Sequence, residues 1–291
     1  MTAGAPLLSP SFLAKLAALT VKSRRRGAGV RKGERRSIRR GQSLEFADHR
    51  AYVPGDDLRH LDWHLYGRLN QLFVKLFEEK EDRTVQIFVD ASASMEGDKL
   101  HVARQVGAAL AYVALGSMDR VCVADFAEGL KRVRPPSRGR SAIHGIFQHM
   151  LEVTPGGESD LVNSLRSYPR RQGKGIGILL SDLLFPQGYD EGLKRLMYLD
   201  LELYVFHVVS PAELRPDLTG DIMLVDAEDG TEIPLTVDDA VLERYERTVR
   251  KYLDGARETC RRLGIHHSLL MADVDIEHFI MGALRREGML L

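Results

Sequence analysis

Two strand-like runs end in side chains that could do chemistry. TVQIFV leads into Asp90-Ala91-Ser92-Ala93-Ser94, and GIGILLS leads into Asp182. Between them lies the polar loop Pro155-Gly156-Gly157-Glu158-Ser159-Asp160. Asp90, Asp182, Ser92, Ser94 and Ser159 make an all-oxygen donor set, the type that hard octahedral cations such as Mg²⁺ or Mn²⁺ prefer. An Asp-x-Ser-x-Ser turn can aim both hydroxyls at one point while Asp90 acts directly or through water. So few anionic ligands hold a cation weakly and leave a coordination position for a carboxylate from a partner. The plain structural reading of the same residues is a set of turns that cap helices after strands.

Other chemistries find less support. His60 and His64 stand four apart near Asp56, Asp57 and Asp62, which is zinc-like spacing. Trp63 between them points instead to a packed helix, with Pro54-Gly55-Asp56-Asp57 and Arg59 holding this segment against the main domain through turn and ion-pair contacts. No Walker A motif occurs; GKGIG at 173–177 lacks both the spacing and the Ser/Thr. There is no HExxH, GxSxG or DxDx[TV] motif, and Ser92 stands where a phosphoryl-transfer site would place a second Asp. A nucleophilic Ser92 would need a histidine base, and the sequence nominates none. The two cysteines, Cys122 and Cys260, are too few for a cysteine-based metal site. Cys122, in an apolar run, reads as a small buried hydrophobe, and the expected compartment is the reducing cytoplasm.

The elements that must position the candidate site alternate from about residue 72 onward. QLFVKLFEE and TVQIFVD are expected as two strands joined by a charged turn from Lys80 to Arg83. Helical periodicity runs from Lys99 to about Ser117, with Leu100, Ala103, Val106, Leu110 and Val113 on one face. Further strands are expected at 120–126, 130–133, 175–181, 203–209 and 265–271. Helices are expected near 141–151, from Asp160, and over 190–199, 238–263 and 276–286. A hairpin spans about 220–236 with its turn at Asp229-Gly230. Upstream, Asp56 or Asp57 is expected to cap a short helix through Trp63. Apolar strands separated by helices imply an α/β fold with a doubly wound, mostly parallel sheet. Ligands in such sheets bind outside the carboxyl ends of the strands, where Asp90 and Asp182 both fall.

The chain has 291 residues, 44% hydrophobic and 28% charged, an ordinary globular composition. Its formal net charge of zero conceals an asymmetry. Residues 1–40 hold 11 basic side chains and the single acid Glu34, so the remaining 251 residues carry the compensating negative charge. The basic arm could attract nucleic acid, although no aromatic residue for base stacking lies between Phe12 and Phe46. Before the arginines, Leu7, Leu8, Phe12, Leu13, Leu16 and Leu19 suit one face of a short docking helix. That order, apolar first and basic second, is the reverse of a secretory signal. The longest nearly apolar stretch, 106–118, is too short to span a bilayer.

DASASM, the SDL of residues 159–161 and LLSD together resemble the metal-ion-dependent adhesion site (MIDAS) of von Willebrand factor A domains. EFADHRAYVPGDDLRHLDWHLYGR followed by FVKLFEE resembles the signature of the DUF58 family, over roughly residues 30–291. The resemblance implies a von Willebrand factor A-like, Rossmann-like domain over 84–291 with the hairpin as an insertion. Ahead of it would come a signature segment over 43–83 and a partly flexible basic arm over 1–42. It implies that Ser92, Ser94 and Ser159 are hydroxyl ligands of Mg²⁺ (or Mn²⁺ or Ca²⁺), with Asp90 and Asp182 in the inner or outer shell. Ser159 replaces the usual Thr, and Asp160 is a substitute ligand. Leu183 stands where that family has Gly. The implied function is non-enzymatic: a metal-dependent adaptor for a MoxR-type AAA+ ATPase or another protein offering an acidic residue. A metal-dependent phosphoester hydrolase and nucleic-acid binding through the arm are the alternatives.

Overall fold

The computed structural model describes residues 6–21, 44–79, 83–169, 175–226, 230–286 and 288–291. They belong to two compact units, Met1–Ala28 with Arg83–Leu291, and Gly29–Asp82.

The larger unit begins with helix α1 (Pro10–Leu16), capped by the Ser9 hydroxyl and started by Pro10. Leu7, Leu8, Phe12, Leu16, Leu19 and Val21 are all buried in the main core. Val21 also bridges to Leu290. The arm expected over 1–42 is therefore divided. The apolar stripe of residues 6–21 joins the core, because it has a partner surface within the chain, and residues 22–43 lie outside those described.

The smaller unit contains an antiparallel pair, β1 (Leu44–Ala51) and β2 (Phe73–Glu79), with a register shift between Phe46 and Asp48. Between these strands lie a 3₁₀ turn, Leu58–His60, capped by Asp57, and helix α2 (Trp63–Leu69), capped by Asp62. Asn70 ends α2 in the left-handed conformation at φ 52°, a common helix stop. The expected hairpin of 72–79 with 84–90 does not form: β2 pairs with β1, about thirty residues upstream, and the next strand enters another sheet. Trp63, in the first turn of α2, is 64% exposed. Asp56 pairs with Arg50 and Asp57 with Arg59.

In the larger unit the chain continues through β3 (Thr84–Asp90), α3 (Asp98–Gly116), β4 (Arg120–Phe126) and β5 (Leu130–Arg138). Then come α4 (Ile143–Glu152), α5 (Leu161–Ser167), β6 (Gly175–Ser181), α6 (Tyr189–Met197), β7 (Leu201–Val209) and α7 (Pro211–Leu214). The hairpin β8 (Gly220–Val225) and β9 (Glu232–Val237), the long α8 (Asp239–Leu263) and β10 (His266–Met271) follow. A helical run over 276–286 follows; expected as one helix, it contains a π segment at Phe279–Ala283. The hairpin turn at 227–229 lies outside the described residues.

Six strands form one sheet in the order β10-β7-β6-β3-β4-β5. All neighbours are parallel except β4 and β5. The fold is thus a mixed α/β arrangement around a mostly parallel sheet, as the alternation of elements implied. β5 outruns its expected end at Val133 and carries Pro135 and Pro136, which an edge strand tolerates because one row of its amides is unpaired. Every residue of β3 is buried, because helices cover both faces. Val85, Ile87 and Val89 pack with α1, α3, α4 and the C-terminal run; Phe88 packs with residues of α5, α6 and α8. Each large side chain so buried contributes roughly 1.5–3 kcal/mol, and this two-sided core fixes where the strands end.

Candidate functional site at the strand ends

β3 and β6 are parallel neighbours with Val89 opposite Leu180. The next residues of the two strands are Asp90 and Ser181, so register alone places them side by side. The Ser181 hydroxyl donates to Asp90 Oδ2 at 2.6 Å. Beyond Asp90 the chain turns sharply: the Ser92 amide and hydroxyl donate to Asp90 Oδ1 at 3.0 and 2.7 Å. Ser94 Oγ lies 3.1 Å from Ser92 Oγ, and Ser159 Oγ donates to Asp90 Oδ2 at 2.9 Å. Four of the five expected ligands, Asp90, Ser92, Ser94 and Ser159, therefore share one cluster. Asp90, Ser92 and Ser159 are buried and Ser94 is half-buried, so the cluster's accessible edge is at Ser94.

The two loops that carry these residues are bound to each other. Ala93 N–H donates to Gly157 O at 2.9 Å, and Gly156 N–H donates to Ala91 O at 3.0 Å. Gly157 has φ +82°, and a Cβ there would lie 2.6 Å from Glu128 Oε1, so this position needs glycine. From β5, Lys131 Nζ donates to the carbonyls of Ala91, Thr154 and Gly156 at 3.1, 3.2 and 2.9 Å. One ammonium thus staples both loops.

The Asp182 charge helps to raise the Asp90 carboxyl, but the hydrogen bonds of Asp182 go elsewhere. Oδ2 accepts from the buried Lys99 ammonium at 2.9 Å and Oδ1 from Leu184 N–H at 3.1 Å. Lys99, in the first turn of α3, also pairs with Glu213 of α7. A capping box fixes Glu213: Ser210 N–H donates to Glu213 Oε2 at 2.7 Å, and Glu213 N–H donates to Ser210 Oγ at 3.1 Å. Asp160 caps α5, accepting from Asn163 N–H at 2.8 Å. No hydrogen bond among the described residues links its side chain to the Asp90 cluster, so a part for Asp160 as substitute ligand gains no support.

Leu183 makes the turn that follows Asp182. It adopts φ +60°, a conformation costing a non-glycine residue roughly 1–2 kcal/mol. The turn is held by Leu183 N–H donating to Ser181 Oγ at 2.9 Å, by Phe185 N–H donating to Leu183 O at 2.7 Å, and by the Tyr252 hydroxyl on the same carbonyl. The Leu183 side chain is fully buried, which offsets the strain.

Burial, together with the Asp182 charge, pushes the Asp90 carboxyl up to about 6, against the opposing pull of its Ser181 and Ser92 hydrogen bonds. Burial pulls Lys99 down, but Asp182 and Glu213 more than offset it and hold the ammonium charged. His207, on β7 behind Asp182, is pushed down to about 4 by burial and by His267. Its Nδ1 lies 3.3 Å from His267 Nε2. The hydrogen bonds of Ser92 and Ser159 run to the Asp90 carboxylate. The cluster's donor set, one carboxylate and three hydroxyls, fits a hard divalent cation.

Sequence reasoning missed Ser181, Lys99, Glu213 and Lys131. Ser181 was visible in LLSD, but its role depends on the β3–β6 register. Lys99 lies 83 residues from Asp182, too far for spacing to connect them. In the smaller unit, His49 Nε2 lies 2.9 Å from Asp62 Oδ2, and Asp62 Oδ1 caps α2 through the amides of His64 and Leu65. No cluster of three or more His, Cys, Asp or Glu suited to a metal occurs among the described residues.

A family model described as "Protein of unknown function DUF58" matches residues 48–253. Curated relatives include the uncharacterized proteins Rv1480 of Mycobacterium tuberculosis (strain H37Rv) and Mb1516 of Mycobacterium bovis. Each is 27% identical over 297 residues, covering 97% of this chain and 92% of the relative. Among solved structures, an aerotolerance-related membrane protein from Bacteroides fragilis is 15% identical, with a TM-score of 0.42, covering 70% of this chain and 98% of that one. The conserved hypothetical protein BatB from Bacteroides thetaiotaomicron is 16% identical with the same TM-score, covering 70% and 96%. No described helix is long and apolar enough to cross a membrane.

Proposed function

This chain belongs to the DUF58 family, and from that premise we propose that it is a non-enzymatic, metal-dependent interaction module with a von Willebrand factor A-like body. Asp90, Ser92, Ser94 and Ser159 hold a divalent cation, Mg²⁺ or Mn²⁺, at the carboxyl ends of β3 and β6. The cation supplies Lewis acidity at an open position, where an acidic side chain of a partner protein completes its shell. The partner class is the one the family resemblance names, a MoxR-type AAA+ ATPase, and the compartment is the cytoplasm.

One observation carries this reading: Ser92 and Ser159, 67 positions apart in sequence, donate to the two oxygens of one buried carboxylate, with Ser94 against Ser92. A pair of helix-capping turns would not require that convergence. Ser92 caps nothing through its side chain, although it precedes a 3₁₀ turn.

Capture of the partner ATPase by tagged full-length chain, with Mg²⁺ and with EDTA, tests the reading. Capture is expected to fall on chelation and in the Asp90→Ala, Ser92→Ala double variant, with the melting transition retained. Capture unchanged by both treatments would reject it.

A further inference from the structure

The Asp90 cluster accounts for the serines but gives no role to the buried Lys99 ammonium beside Asp182. Lys99 is only 4% exposed, and lysine is almost never so buried unless paired. It lies in the first turn of α3, where the helix dipole disfavours a positive charge. Two carboxylates hold it there, Asp182 at 2.9 Å and Glu213 from α7. Glu213 is itself fixed by its capping box with Ser210, and the Tyr245 hydroxyl on α8 donates to its carbonyl at 2.8 Å. The ammonium therefore sits in a rigid cradle made by three elements.

The two site carboxylates are in different situations. Both oxygens of Asp182 are engaged, one by an ammonium and one by the Leu184 amide. Among the described residues, the hydrogen-bond donors to Asp90 are neutral, three hydroxyls and the Ser92 amide. Hydroxyls can rotate and offer lone pairs to a cation without breaking an ion pair. Releasing Asp182 would give up one of the two ion pairs of the buried Lys99 ammonium and leave Glu213 as its carboxylate partner.

We propose that Lys99 is the resident cation of this site: it holds Asp182 out of direct contact with a bound divalent ion and leaves Asp90 as the sole coordinating carboxylate. The inference rests on the metal-dependent reading above and specifies how that site is tuned. Lys99 is a positioning residue, and its charge also opposes an incoming cation. The bare site therefore holds a divalent ion weakly, and a partner's carboxylate supplies the second negative ligand.

Mn²⁺ titration of the full chain, followed by the electron paramagnetic resonance of free Mn²⁺, tests this with two variants. Lys99→Met removes the opposing charge and frees Asp182, and should bind Mn²⁺ at least about tenfold more tightly. Lys99→Met with Asp182→Asn removes the pair together and should bind within about threefold of wild type. The double variant leaves no unpaired charge at position 182 and so decides the question even if Lys99→Met alone fails to fold. A double variant that loses about tenfold or more in affinity would make Asp182 a direct ligand and overturn the proposal. A folded Lys99→Met that binds no more tightly than wild type would also overturn it. No Mn²⁺ binding by wild type or either variant would instead reject the metal-dependent reading itself.

Discussion

Asp90 is a carboxylate in a buried place, and the proton it holds competes with any cation that takes its place. Burial and the nearby Asp182 charge push it up to about 6. Its folded-state value lies above the ordinary 3.8, so this group favours the folded state most below 3.8, and that contribution is lost as pH rises through about 6. A divalent ion binding the ionised form reverses the trend. The rise in melting temperature caused by Mg²⁺ should be small at pH 5 and grow through about pH 6; a rise independent of pH would contradict coordination by Asp90. Ser159 is the next test at this scale. Ser159→Ala removes the hydroxyl on Asp90 Oδ2 and should weaken Mn²⁺ binding roughly tenfold, whereas Ser159→Thr keeps the hydroxyl and should bind at least as well as wild type. Asp90, Ser92, Ser94 and Ser159 were legible in the sequence because each sits where an apolar run or a glycine pair gives way to polar residues. Lys99 was not, because its partners lie on a strand end and on a helix far along the chain, and only the fold brings the three together.

The elements show the same division between local and distant causes. α3, β4, β6 and α8 lie almost where their periodicity placed them, since a helix stripe or a run of buried apolar residues is a local pattern. β1 was not expected as a strand, and β2 was assigned to the wrong partner. Lys80 to Arg83 looked like a hairpin turn, whereas β3 is buried on both faces between β4 and β6. The distant β1–β2 pairing is unreadable from either strand alone. Within that unit, α2 depends on Asp62, which caps it and also accepts from His49 and pairs with Lys75. The His49 and Leu65 hydrogen bonds hold the Asp62 carboxyl below its ordinary 3.8. Its contribution is therefore present above about pH 4 and lost as pH falls below it. Trp63, the chain's only tryptophan, reports on this helix directly. Asp62→Asn should lower the urea midpoint read by Trp63 fluorescence at pH 7, with the difference from wild type shrinking in acid.

For the molecule as a whole, the N-terminal segment changes meaning. A charge count made residues 1–40 a single basic arm, yet the apolar stripe of its first part joins the core. Leu16 is fully buried among residues of the main cluster, and Leu16→Ala should cost about 2–5 kcal/mol in denaturant unfolding of the larger unit. A loss below about 0.5 kcal/mol, the range of ordinary surface substitutions, would mean that α1 is dispensable. The parallel sheet and its two helical layers were legible because apolar strands alternated with amphipathic helices throughout. That architecture puts Asp90 and Ser181 on adjacent strand ends, lets the 153–160 loop bring Ser159 to the same carboxylate, and leaves Lys99 to neutralise Asp182. The central claim is that this edge binds one divalent ion through Asp90 and its hydroxyls. Calorimetric titration of Mn²⁺ into wild type and into the Asp90→Ala, Ser92→Ala variant measures it most directly. The account predicts one ion per wild-type chain and none for the folded variant; equal binding by both, or none by wild type, would contradict it.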